Sequence, residues 1–123
     1  MNVVDSSAWL EYFADGANAD YFAGAIESVE QLIVPTISLF EVFKRVLVLR
    51  GEADALQVAA LMRQGQVVDL TPSIALNAAK LSAQLKLPMA DSIMLATAQA
   101  YDAVLWTQDA DFAGISTVKY HPK

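Results

Sequence analysis

Apolar positions along the chain follow two different periods. Short apolar runs predict buried β-strands, and longer stretches with apolar residues at helical spacing predict helices. Strands alternating with helices predict one domain, residues 1–123, built as an α/β sandwich with a mostly parallel central sheet. The predicted strands span residues 2–4, 32–34, 66–70 and 103–106, with an edge strand at 116–120. The predicted helices span residues 7–13, 19–30, 37–50, 53–63 and 72–85, and a last one begins at about Asp91.

Composition predicts a folded domain without a membrane segment or covalent cross-links. Of its 123 residues, 55% are hydrophobic, and no apolar run approaches the roughly 20 residues that a membrane helix needs. The chain has no cysteine, which excludes disulfides and thiolate metal sites. Met1 leads almost directly into the first predicted strand, so we expect no signal peptide and a cytoplasmic protein.

The charge balance limits how the chain can contact nucleic acid. The net charge is −6, from 14 acids against 8 bases, and no Lys or Arg precedes Lys44. Broad, non-specific nucleic-acid binding rests on a basic surface, so this balance argues against it. It leaves room for a nuclease whose metal ions offset the local negative charge.

Three aspartates lie where predicted strands end or helices begin. Asp5 follows the first strand, Asp91 starts the last helix, and Asp109 lies just beyond the last buried strand. Each alone could be a helix cap or a turn residue. In a βα protein, however, strand ends and helix starts meet at one edge of the sheet, so these carboxylates can converge there.

Glu41 is a fourth acid, inside an apolar helix. It could reach back to the helix start in a capping box with Ser38, or pair with Arg45 one turn later. Its large apolar neighbours, Phe40 and Phe43, mean that its carboxylate needs a partner, and a metal ion could serve. Four carboxylates placed together repel one another, and such hard oxygen ligands suit Mg²⁺ or Mn²⁺.

Four motifs give the chain a family resemblance. They are VVDSS, ISLFEV, ADSIMLATAQ and LWTQDADF, with the acids Asp5, Glu41, Asp91 and Asp109. In this order they resemble PIN-domain ribonucleases, specifically the small VapC-family toxins of type II toxin–antitoxin systems, over essentially the whole chain. The resemblance implies a PIN-like three-layer α/β/α sandwich and a metal-dependent endoribonuclease that hydrolyses phosphodiester bonds of RNA, favouring tRNA or ribosomal RNA.

The resemblance also implies a role for each acid. Asp5, Asp91 and Asp109 would hold Mg²⁺ or Mn²⁺, directly or through water. Glu41 would complete the cluster and help to hold or activate the attacking water.

Five further residues take supporting roles in this hypothesis. Ser6 and Thr107 would orient carboxylates or bound waters, and Asp111 would be accessory to Asp109. Lys44 and Arg45 could hold RNA phosphates, although a solvated helix face explains them equally well. The partners implied by the resemblance are the RNA substrate, a second copy in a homodimer, and a cognate VapB-type antitoxin with an arginine that enters the carboxylate pocket.

Other functions fit the sequence less well. A receiver domain carries an acidic pair after its first strand and a late lysine, whereas valines precede Asp5 and no matching lysine follows Leu105. A dehalogenase-type phosphatase needs Asp-x-Asp where this chain has two serines after Asp5. The single histidine, His121, is predicted to be a solvated residue of a mobile tail, which argues against a Ser-His-Asp scheme. A catalytically inactive PIN-like binding module stays open.

Overall fold

A five-stranded parallel sheet lies at the centre of the protein. In the computed structural model, which describes residues 1–123, all neighbouring strands pair in parallel and their order is β3-β2-β1-β4-β5. The strands are β1 (Asn2–Val4), β2 (Leu32–Pro35), β3 (Gln66–Val68), β4 (Val104–Thr107) and β5 (Val118–Tyr120). The predicted sheet is therefore confirmed and is wholly parallel. Receiver domains have the different strand order 2-1-3-4-5, so that alternative is wrong at the level of the fold.

Six α-helices cover the sheet. Thr71 starts one of them as the sequence predicts, because its Oγ1 accepts a hydrogen bond from the Ile74 N–H at 3.2 Å and Pro72 occupies the first helical position. The helices are α1 (Ser6–Phe13), α2 (Ala19–Glu27), α3 (Thr36–Arg50), α4 (Glu52–Met62), α5 (Pro72–Leu85) and α6 (Met89–Ala100). Short 3₁₀ turns span Val29–Gln31 and Ala110–Phe112.

Alternate side chains of the strands pack into a separate core on each face of the sheet. Val4 belongs to the core that contains Trp9 of α1 and Phe22 of α2. Its neighbour Val3 belongs to the opposite core, with Met94 of α6. Successive strand residues point to opposite faces, so two cores on one sheet make a three-layer α/β/α sandwich, as predicted.

The strand order places a crevice beside β1. From β1 the chain adds β2 and β3 on one side and then β4 and β5 on the other. All the strands are parallel, so their carboxyl ends lie at one edge, and Val4 pairs with Trp106 at the point where the order reverses. Open α/β sheets bind ligands at such a switch point. Asp5 follows β1 directly at this position.

Several predicted boundaries differ from the structure, including the ends of α2 and β3. Helix α2 ends at Glu27 because Ser28 has φ −82° and ψ 68°, outside the helical region. Strand β3 is shorter than predicted and ends at Val68, since Asp69 and Leu70 continue as exposed, unpaired chain. No helix of the protein combines the length and the apolar character needed to cross a membrane.

The prediction that His121 is a solvated residue of a mobile tail is wrong. The His121 N–H donates to the Thr107 carbonyl oxygen at 2.9 Å and so extends the pairing of β5 with β4. The imidazole ring stacks on Tyr21, with centroids 4.5 Å apart and ring planes at 19°. The segment after β5 is therefore fixed against the end of β4.

Candidate metal centre

An acidic cavity of about 290 Å³ opens at the carboxyl edge of the sheet. It is lined from the end of β1, the start of α1, the middle of α3, the start of α6 and the loop after β4. All four acids of the hypothesis reach it, although they are far apart in sequence. The lining residues are Asp5, Ser6, Ser7, Leu10, Glu41, Arg45, Asp91 and Asp109.

Asp5 lies at the bottom of this cavity and is 2% exposed. Its Oδ2 accepts two hydrogen bonds, from the Ser7 hydroxyl at 2.6 Å and from the Thr107 hydroxyl at 2.9 Å. Burial raises the pKa of Asp5 above its usual range; the two hydroxyls counteract part of that rise, and the negative charge of Asp109 adds to it. The two hydroxyls orient the carboxylate without neutralising it.

Glu41 faces the same cavity, and both structural alternatives for it are wrong. Ser38 is not a helix cap, because α3 begins at Thr36 and the buried Ser38 hydroxyl has no hydrogen-bond partner. Glu41 and Arg45 form no salt bridge. Instead, Glu41 Oε1 accepts a hydrogen bond from the Ser6 hydroxyl at 2.8 Å. Burial is the main cause that raises the pKa of Glu41; the Ser6 hydroxyl lowers it, and the charge of Asp5 raises it further.

Asp91 has a strongly raised pKa. It is half-buried in the first turn of α6, where a helix N-terminus favours negative charge. Burial nevertheless raises its pKa from 3.8 to about 7, and the charges of nearby aspartates add to the rise. Those aspartates are Asp5, Asp109 and Asp111.

Two hydrogen bonds hold the loop that carries Asp109. The Asp109 N–H donates to Thr107 Oγ1, and Asp109 Oδ1 accepts from the Asp111 N–H, each at 2.9 Å. The second bond is the Asx turn proposed for Asp109 as its structural alternative, so Asp109 makes this turn and also lines the cavity. Phe112 is fully buried and anchors the loop, as expected.

The donor set fits a hard divalent cation. One carboxylate oxygen from each of Asp91, Asp109 and Asp111 lies within 4.8 Å of the other two. Asp111, for which the sequence predicted an accessory role, belongs to this group, whereas Asp5 and Glu41 do not. Asp5 and Glu41 line the adjoining cavity wall. Carboxylate oxygens are the ligands that Mg²⁺ and Mn²⁺ prefer, and a doubly charged cation would offset the repulsion between them.

The two candidate phosphate-binding residues differ in position. Arg45 lines the acidic cavity, one helical turn beyond Glu41. Lys44 is exposed and does not line that cavity, and its Nζ lies 5.9 Å from the Phe40 ring centroid. Neither residue forms an ion pair, because the only salt bridge of the protein joins Arg50 and Asp54. The acids therefore have no protein cation bonded to them.

Sequence reasoning missed Ser7. Its hydroxyl makes the shorter of the two side-chain bonds to Asp5. The available signal was its position in VVDSS, directly after Ser6 and two residues after Asp5. A hydroxyl two residues beyond a strand-end carboxylate can fold back onto it at the start of a helix.

A larger cavity of about 730 Å³ adjoins the acidic one and shares Ser7, Leu10 and Arg45 with it. It lies between α1, α3 and α4 and is lined by apolar and charged side chains. Because the two cavities share part of their walls, a molecule held in the larger one can extend toward the acids.

The chain is similar to known proteins in both sequence and fold. A family model of the PIN domain matches residues 3–117. The fold is similar to a toxin–antitoxin complex from Klebsiella pneumoniae, at 25% identity and a TM-score of 0.79 over 96% of this chain and 95% of that one. It is also similar to VapC20 of Mycobacterium tuberculosis, described as a sarcin–ricin loop cleaving toxin, at 18% identity and a TM-score of 0.79 over 99% and 100%.

A further similar structure is FitAcB from Neisseria gonorrhoeae, at 14% identity and a TM-score of 0.75 over 98% of this chain and 96% of that one. No curated protein sequence matches the chain. At these identities, the structures of VapC20 and FitAcB establish a shared fold.

Removing the charge at position 91 is expected to stabilise the metal-free protein above about pH 7. Between about pH 4 and 7 the folded state keeps the Asp91 proton that the unfolded chain has released, so the free energy of unfolding falls as the pH rises through this window. In excess EDTA, the melting temperature of Asp91→Asn should fall less with rising pH than that of the wild type. At about pH 8 the variant should melt about 5 °C higher.

Thermal unfolding followed by tryptophan fluorescence measures this difference. Mg²⁺ should raise the melting temperature of the wild type at about pH 8 and have a smaller effect on the variant. Identical pH dependence of the two proteins in EDTA would contradict a raised pKa at Asp91.

Proposed function

The chain belongs to the PIN-domain family, and we propose that it is a divalent-metal-dependent endoribonuclease, the toxin of a type II toxin–antitoxin system. The observation that carries the proposal is the convergence of Asp5, Glu41, Asp91 and Asp109 on one cavity at the switch point of the sheet. The toxin role is supported by the similarity in fold to the Klebsiella pneumoniae toxin–antitoxin complex and to VapC20.

Asp5, Asp91 and Asp109 are the proposed ligands of Mg²⁺ or Mn²⁺, with Asp111 close enough to contribute. When bound, the ion supplies Lewis acidity that polarises the phosphate and makes water more acidic. The hydroxyls of Ser7 and Thr107 fix Asp5 before any ion arrives, so little reorganisation of this carboxylate is needed on binding.

Glu41 is the proposed general base. Its Oε1 is held by the Ser6 hydroxyl, and its Oε2 has no hydrogen-bond partner in the protein. Its raised pKa makes it a better proton acceptor than an ordinary surface carboxylate. In the hydrolysis, water oxygen bonds to phosphorus as Glu41 takes the water proton, and the bond from phosphorus to the leaving oxygen breaks.

Arg45 is proposed to hold a phosphate of the RNA beside the acids. It lines both cavities, so its guanidinium can reach a phosphate next to the one that reacts. One arginine at the rim suits a chain of net charge −6, because the substrate is then held locally and not by a broad basic surface. The proposed substrates are structured cytoplasmic RNAs, tRNA or ribosomal RNA; sarcin–ricin loop cleavage by VapC20 supports the ribosomal one.

Cleavage of a structured RNA tests this function. Purified protein should cut tRNA or a ribosomal RNA stem-loop with Mg²⁺ or Mn²⁺ and stop when EDTA is added. Asp5→Asn and Asp91→Asn should each lower the rate by about 10²-fold or more, because each removes a proposed ligand. Gel analysis of labelled RNA measures the rate, and circular dichroism checks the fold.

Asp69→Asn is the matched control. Asp69 also follows a parallel strand, β3, but it is exposed and does not line the acidic cavity. The Asp69→Asn variant should cleave the RNA at the wild-type rate. Cleavage that persists in EDTA, or full activity in Asp91→Asn, would overturn the proposed mechanism.

Arg45 and Lys44 should differ in their effect on RNA binding. Arg45→Ala should raise KM for RNA about tenfold, since it removes a charge-assisted contact to phosphate. Lys44→Ala should change KM less than about twofold, because Lys44 lies outside the acidic cavity. Steady-state kinetics measure both values, and equal effects of the two substitutions would remove Arg45 from the proposed substrate site.

We also propose a VapB-type antitoxin as the partner that blocks the site. The larger cavity has a volume of about 730 Å³ and shares Arg45 with the acidic cavity, so a partner's cationic side chain could extend from one into the other. The toxin–antitoxin complexes among the similar structures support this partner. A homodimer is proposed as well, supported by exposed apolar side chains on α3, Phe40 (61%) and Val48 (73%); sedimentation velocity would measure it.

Two leucines on α4 test where the antitoxin binds. Leu61 lines the larger cavity and is 50% exposed, whereas Leu56 is 54% exposed and does not line it. Leu61→Asp should weaken inhibition by the protein of an adjacent small reading frame at least about tenfold, because it places a charge in an apolar contact. Leu56→Asp should be inhibited normally. Equal inhibition of the two variants would place the partner elsewhere.

A further inference from the structure

A buried pair of amide side chains lies next to the acidic cavity. Asn18, in the loop before α2, is 9% exposed, and Gln108, directly after β4, is 7% exposed. Asn18 Nδ2 donates to Gln108 Oε1 at 3.1 Å and to the Pro122 carbonyl oxygen at 3.0 Å. Gln108 Nε2 donates to the Ser7 carbonyl oxygen at 3.4 Å. We call Asn18 and Gln108 the amide pair.

The amide pair completes a closed ring of contacts around Asp5. Thr107 and Ser7 both donate to Asp5 Oδ2 through their hydroxyls. Gln108, the neighbour of Thr107, donates to the Ser7 carbonyl oxygen and so closes the ring between Thr107 and Ser7. The end of β4 and the start of α1 are therefore fixed to each other at two places, by Thr107 through Asp5 and by Gln108 through Ser7.

The loop before α2 holds Asn18 in place from the other side. The Asn18 N–H donates to Glu11 Oε2 at 2.9 Å. This position of the Glu11 carboxylate depends on glycine at position 16, because a Cβ there would collide with it. The Asn18 side chain is thereby directed at Gln108 by a contact that does not involve the acidic cavity.

Gln108 lies between two residues of the candidate site, so its position decides theirs. Thr107 precedes it and bonds to Asp5, and Asp109 follows it with its N–H on the Thr107 hydroxyl. Rotation of the backbone at Gln108 would turn Asp109 relative to Asp5. The bonds of the amide pair restrain this rotation, together with the bonds of the Asp109 N–H to the Thr107 hydroxyl and of the His121 N–H to the Thr107 carbonyl oxygen. The two amide side chains are buried, which strengthens the bond between them.

We propose that Asn18 and Gln108 are positioning residues that set the separation of Asp5 and Asp109 and thereby the affinity for the divalent cation. This inference rests on the proposed function, since it assigns a role toward that metal site. The pair acts through the Ser7 backbone and the end of β4, and neither amide lies among the metal-binding carboxylates. Polar groups behind a ligand typically change metal affinity by about 10–100-fold when they are removed.

Two variants separate positioning from simple stability. Gln108→Met keeps the volume and removes both side-chain hydrogen bonds, so it should lower the melting temperature by about 5 °C and the Mn²⁺ affinity about tenfold. Asn18→Leu/Gln108→Met replaces both amides by apolar groups and should recover much of the melting temperature. It should not recover Mn²⁺ affinity, because the link from the end of β4 to Ser7 is still missing.

Isothermal titration with Mn²⁺ measures the affinity, and amide hydrogen exchange at Asp109 reports its position without any metal. The Asp109 amide should exchange about tenfold faster in both variants than in the wild type. Asn77 and Gln99 form a matched control pair, joined at 3.2 Å between α5 and α6 and exposed to solvent. Asn77→Leu/Gln99→Met should leave Mn²⁺ affinity and Asp109 exchange unchanged.

The outcomes distinguish this inference from the proposed function. If the wild type binds Mn²⁺ and the double variant binds it equally well, the positioning role is overturned and the metal site stands. Recovery of affinity together with stability in the double variant would likewise show a merely structural role. A wild-type protein that binds no Mn²⁺ would overturn the metal site, and with it both the proposed function and this inference.

Discussion

Repulsion between carboxylates that share one small cavity is the constraint on which this structure depends. Folding brings Asp5, Glu41, Asp91 and Asp109 together, and no ion pair within the protein neutralises any of them. Hydroxyl groups instead orient the carboxylates of Asp5 and Glu41 without cancelling their charge. Bound protons reduce the repulsion within such a cluster, and the proposed divalent cation would reduce it as well.

Much of the fold is visible in the sequence because the strands are short and mostly apolar. Runs such as the one ending at Val34 can only be buried, and the proline, glycine and threonine between the helices mark their ends clearly. The acids of the site could be predicted for a related reason. Asp5 and Asp109 follow strand ends and Asp91 lies in the first turn of a helix, and in a parallel sheet those positions fall at one edge. Glu41 lies further along its helix, in the second turn of α3.

The contacts that fix the acids could not be predicted in the same way. The partner of Glu41 is Ser6, 35 residues earlier, and the local alternatives with Ser38 and Arg45 were chemically reasonable. Nothing in a single sequence pairs Asn18 with Gln108 across 90 residues. The fixed position of His121 depends on the end of β4 and the ring of Tyr21, which tertiary packing alone brings together. Local patterns therefore predict elements, while long-range polar pairing decides the geometry.

The separation of the acids from both hydrophobic cores has an evolutionary consequence. None of the four belongs to the clusters that hold the layers together. A substitution at one of them leaves the apolar packing intact and removes a source of repulsion, so a gene under pressure to lose the proposed toxin activity could do so in one step without losing the fold. Descendants of such a gene would be stable, expressed and inert, and they would be free to serve as binding proteins with the same architecture.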